Sequence, residues 1–93
     1  MKDQQKFSLI DGLFSSQDSK EILTSIYSSK IQFHQRKNFS TEERFGKADE
    51  TALNRIPELK KNIERILQIL EETESSGLNL EIKADITINF LQS

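Results

Sequence analysis

Leu78-Asn79-Leu80-Glu81-Ile82-Lys83-Ala84-Asp85-Ile86-Thr87-Ile88-Asn89-Phe90 alternates apolar and polar side chains without a break. A period of two held over thirteen residues is the pattern of a β-strand with one dry face and one wet face. At about 3.3 Å per residue it would run about 40 Å, well beyond the usual strand of about 5–6 residues. Its apolar members need a cover and its backbone needs a partner. The remaining sequence offers one other short strand, so a second copy of the chain is the simplest source of both.

Working back from this ribbon, Gly77 is the expected stop of a helix over about 50–75. Ala52, Ile56, Leu59, Ile63, Ile66 and Leu70 recur at spacings of four and three, which lines one seam along that helix. Leu53, Leu67 and Ile69 widen the stripe. Pro57 lies inside the pattern and removes one backbone donor, so a kinked but continuous helix is expected. Lys60 with Glu64 and Glu58 with Lys61 are spaced for ion pairs on its surface. Glu71, Glu72 and Glu74 crowd the end where the helix dipole disfavours negative charge.

Further upstream, Ser15-Ser16-Gln17-Asp18 resembles a capping box and opens a helix expected over about 16–37. Its apolar positions are Ile22, Leu23, Ile26, Tyr27 and Phe33. Residues 38–49 read as a connection, with a second capping box at Ser40 and Glu43 and a stop at Gly46. Continuation of the first helix to Phe45 is the alternative. Phe7-Ser8-Leu9-Ile10 marks a strand over about 6–10, and Asp11-Gly12 reads as a turn.

The order is strand, helix, helix, strand in a single domain over 1–93. The expected fold is α+β: an antiparallel two-helix hairpin packed on a small sheet from the N- and C-terminal strands. A two-stranded sheet is marginal alone in water, so extension or cover by dimerisation is expected. The element order is similar to that of small ribosome-dependent ribonuclease toxins. Those proteins are strongly basic and have more strands, so no residue is carried across.

Composition narrows the function classes. The 93 residues carry a net charge of −2 and the sequence pI is about 5.4, which argues against a dedicated nucleic-acid binder. The hydrophobic fraction of 34% is lean, yet eleven isoleucines in periodic positions argue against disorder. There is no cysteine, hence no disulfide framework or thiolate site. Met1-Lys2-Asp3-Gln4-Gln5-Lys6 has no apolar run behind its charges, and no stretch is apolar enough for a membrane span. A cytoplasmic protein is expected. Abundant Ile, Lys and Asn with no Val hint at an AT-rich, bacterial coding sequence.

Little in the chain points to catalysis. His34 is the single histidine, and no spacing supplies it with an orienting acid. A metal set of His34, Glu42, Glu43 and Asp49 can be drawn, but it matches no recognised ligand spacing. No nucleophile elbow or phosphate loop is present, and no cofactor is implied. The expectation is a non-catalytic interaction or structural module, forming homodimers or binding another protein, with Ile82, Ile86, Ile88 and Phe90 as the oligomer interface. The alternative is nucleic-acid contact through the basic and aromatic region 30–47. There Arg36, Lys37, Phe39, Arg44, Phe45 and Lys47 combine charge with stacking surface, diluted by Glu42 and Glu43. The simpler expectation for Phe39 and Phe45 is that they tuck beneath the connection.

Overall fold

A computed structural model describes residues 4–92. The order is β1 (Gln4–Phe14), α1 (Ser16–Phe45), α2 (Glu50–Glu74) and β2 (Leu80–Asn89). The two strands form one antiparallel sheet and the two helices form a hairpin, giving the expected β-α-α-β architecture.

The first helix starts where its cap chemistry directs. The Ser15 hydroxyl accepts from the Asp18 amide at 3.1 Å, and Asp18 supplies the negative charge that the first turn favours. The helix then runs past Lys37 to Phe45, so the long connection expected over 38–49 shrinks to residues 46–49. Packing explains the extension. Half-buried positions continue as Tyr27, Ile31, His34, Asn38 and Thr41, again at spacings of four and three. The second capping box therefore never forms, because Ser40 lies inside the helix. Gly46 ends α1 at φ 70°, a conformation that favours glycine, and its amide returns to the Glu42 carbonyl at 2.9 Å. Asn38 pins the short connection by accepting from the Asp49 amide at 2.8 Å. Asp49 caps α2 in turn, accepting from the Thr51 amide at 3.1 Å.

The seam read on the second helix is present. Ala52, Leu59 and Leu70 are buried, and Ile56, Ile63 and Ile66 are half-buried. Leu67 is half-buried, whereas Leu53 and Ile69 are exposed and do not widen the packed stripe. The helix is continuous through Pro57. Glu58 takes Arg55 as its ion-pair partner at 2.6 Å, in place of Lys61. At the open end of the hairpin the Thr73 hydroxyl donates to its own helix. Ser16 Oγ, 3.3 Å away, therefore donates to Thr73 and ties α1 to α2. Lys20 shares a shallow groove with Glu71 and Glu74, so α1 places a cation near the acidic end of α2.

The packing face of α1 differs from the one its apolar residues suggest. Phe33 is 46% exposed and lies outside the seam, while the polar His34, Asn38 and Thr41 face inward. Half-burial of Asn38 is rewarded by its hydrogen bonds to the connection and to Glu42.

The strands also exceed expectation at the N-terminal end. β1 passes straight through Asp11-Gly12, which pair with Lys83 and Ile82 instead of turning. The long β2 offers a continuous ladder, and the Phe14 ring lies within 3.4 Å of where a Gly12 side chain would begin. Leu78 precedes the ladder because its partner strand has already ended at Phe14 beside the Ser15 cap. One irregularity breaks the pairing: Ser8 faces Asp85 and Ile10 faces Ala84, leaving Leu9 as a bulge. That extra residue switches the parity of β1. Phe7, Ile10, Gly12 and Phe14 all fall on the face carrying Leu80, Ile82, Ala84, Ile86 and Ile88.

The sheet meets the helices through α1, and α2 approaches neither strand closely. The molecule is correspondingly open, 50 × 39 × 15 Å with a radius of gyration of 16.9 Å. A compact chain of this length would have a radius near about 12 Å. Among the described residues, the buried apolar side chains are Ile10, Ala52, Leu59 and Leu70.

Leu59, 3% exposed, and Phe33, 46% exposed, separate the two readings of the hairpin. Leu59→Ala should lose about 2–4 kcal/mol in chemical denaturation. Phe33→Ala should cost under about 1 kcal/mol. Comparable losses at both sites would place Phe33 in the core after all.

Candidate interaction surface

The apolar face of the sheet divides into two halves. Nearest the helices, Ile10 is buried, and Gly12, Phe14, Leu80, Ile82 and Ala84 are half-buried. In the outer half, Phe7, Ile86 and Ile88 share one face and stand 52%, 41% and 46% exposed. Leu9 at the bulge is also exposed, as is Phe90 just beyond the last pair. These large apolar side chains gather on one exposed face of a small chain, which makes that face the candidate interaction surface.

The backbone of the ribbon is open too. With two strands in the sheet, each has one edge with no strand beside it among the described residues. On β1 the bulge at Leu9 interrupts that edge, whereas β2 is regular from Leu80 to Asn89. The polar face carries the cross-strand pairs Leu13–Glu81, Asp11–Lys83, Ser8–Asp85, Lys6–Thr87 and Gln4–Asn89. Gln4 donates to the Asn89 side chain at 3.0 Å, closing the far end.

Of the interface residues expected from sequence, Ile82 falls in the covered half, and Ile86 and Ile88 fall in the open half. Ile86 does not enter a core within one chain, because the helices do not extend over it. Phe7 belongs to this surface and escaped the sequence reading. Its three-residue spacing from Ile10 puts the two on opposite faces of a regular strand, and only the bulge brings them together.

The basic and aromatic cluster does not converge on one site. At about 100° per residue, Lys30, Lys37 and Arg44 form one stripe along α1, with Phe33 beside it. Lys30 Nζ lies 5.7 Å from the centre of the Phe33 ring. Arg36 turns to one side of this stripe and Phe39 farther round, while Phe45 ends the helix and Lys47 follows in the connection. Phe39 and Phe45 are 62% and 68% exposed. They do not tuck beneath the connection, since four residues make a bridge too short to fold over them.

His34 meets Phe33 edge-on at 5.4 Å, and its Nδ1 is buried with no hydrogen-bond partner. Among the described residues, no three of the His, Asp and Glu side chains come together as a metal-binding group, so His34, Glu42, Glu43 and Asp49 are not assembled. Among these residues also, no helix is long and apolar enough to cross a membrane. No family model, curated protein or solved structure matches the chain.

The exposure of Ile86 sets the outcome of a charge placed there. Ile86→Asp should preserve helix content by circular dichroism and change stability by under about 1 kcal/mol in the isolated chain. Any larger effect should appear in self-association at high protein concentration. Thr87→Asp, on the polar face, should likewise preserve helix content and stability in the isolated chain. Global unfolding of the Ile86 variant at low concentration would show that this face is packed within a single chain.

Proposed function

We propose that this chain is a non-catalytic interaction module that completes its core by assembling with a second copy of itself. One observation carries the reading: Phe7, Ile86 and Ile88 lie together, exposed, on the outer half of an otherwise amphipathic ribbon. The four buried apolar side chains of the described residues are a thin core, and burial of apolar area is the main term opposing chain entropy. Assembly supplies the missing area. The chain has no cysteine to form a structural disulfide, and we place the module in the reducing cytoplasm.

Light scattering on the purified chain tests the proposal. A dimer at micromolar concentration is expected, dissociating on dilution. A strict monomer at several hundred micromolar would remove the reading.

A second reading is nucleic-acid contact along α1. The observation that favours it is the stripe of Lys30, Lys37 and Arg44, with the exposed Phe33 ring alongside. Three phosphate contacts would give modest affinity that falls steeply with salt. Lys37→Ala with Arg44→Ala should then abolish a salt-sensitive shift of single-stranded RNA. Binding that survives the double substitution, or no binding at low salt, would dismiss this reading.

A further inference from the structure

Resting on the assembly reading, we infer that the partner is a second copy joined edge to edge through β2, in a register set by Lys83 and Asp85. The choice of edge follows from the bulge. β1 is interrupted at Leu9, whereas β2 presents ten regular residues along its open edge.

The register follows from charge. Within one chain Lys83 faces Asp11 across the sheet, but Asp85 faces only Ser8. Two antiparallel copies of β2 related by a two-fold axis at Ala84 set each Asp85 against the partner's Lys83. The polar face then carries an alternating row of Asp11, Lys83, the partner's Asp85 and the partner's Ser8. The same axis sets Ile82 against the partner's Ile86 and Leu80 against the partner's Ile88. Neighbouring registers fail on the same grounds. An axis at Lys83 opposes two lysines and sets Glu81 against an aspartate, and an axis at Asp85 opposes two aspartates; like charges directly opposite are destabilising. An axis at Ile82 also pairs opposite charges, Glu81 with Lys83, but overlaps little more than half as much of the strand. The Ala84 axis combines the greatest overlap of these registers with opposite charge.

This arrangement also extends the apolar face across the junction, bringing Ile86 and Ile88 beside the partner while Phe7 stays on the outer strand. A two-fold axis perpendicular to the sheet keeps both apolar faces on one side. The exposed outer half of each ribbon then lies beside the inner half of the other, which that copy's own α1 partly covers. The result is a four-stranded sheet with both hairpins on its dry side.

The experiment uses the full chain and charge-reversed variants. Asp85→Lys places like positive charges across the axis twice, and Lys83→Glu places like negative charges there. Each should raise the dimer Kd about tenfold at low salt, while an equimolar mixture should recover near wild-type affinity as a heterodimer by native mass spectrometry. Circular dichroism of each variant checks folding, since Lys83→Glu also loses its facing Asp11. Ala84→Cys supplies an independent reading in a chain otherwise free of cysteine. It should oxidise to a covalent dimer, and Thr87→Cys should not. A wild-type dimer whose Kd is unmoved by both reversals, or which cross-links at Thr87→Cys and not at Ala84→Cys, would overturn this interface and leave self-assembly standing. A monomeric wild type would end both.

Discussion

Everything in this molecule depends on the antiparallel pairing of its two terminal strands. Phe14 meets Leu80 at one end of the ladder and Gln4 meets Asn89 at the other. Closing so long a loop costs chain entropy. The helical hairpin reduces that cost by returning the chain to its starting point before the strands meet. Gly46, Asn38 and Asp49 make the return abrupt, and the hydrogen bond between Ser16 and Thr73 holds the open end together.

That design divides the core. One part is the seam between α1 and α2, apolar on α2 and mixed on α1, where His34, Asn38 and Thr41 replace aliphatic side chains. The other is the inner half of the ribbon, centred on Ile10. Because α1 alone reaches the sheet, the two parts support each other only through that helix. A polar seam lowers the packing energy of the hairpin but restricts its register, since Asn38 finds the Asp49 amide in only one alignment.

The bulge at Leu9 has two physical consequences. It moves Phe7 onto the dry face, enlarging the exposed apolar surface there, and it interrupts the β1 edge. A single inserted residue thus makes the ribbon asymmetric, with one protected edge and one regular edge. The charge distribution on β2 adds direction to that asymmetry, because Asp85 has no cation opposite it within its own chain.

Much of the architecture could be read from residue order alone. The alternation from Leu80 to Asn89, the seam from Ala52 to Leu70, and the caps at Ser15 and Gly46 are local patterns, each set by the backbone geometry of one element. What required the tertiary structure was every property that depends on two elements at once. Asp11-Gly12 has turn chemistry, but a long partner strand draws it into the ladder. Residues 38–45 contain a cap signal, but packing along α2 keeps them helical. Phe33 leaves the seam that its spacing suggested and half-buried His34 stands there instead, because the direction of a helical side chain is decided by where the neighbouring helix lies. The candidate surface was half legible: Ile86 and Ile88 follow from period two, while Phe7 joins them only through a bulge that one strand cannot reveal without its partner.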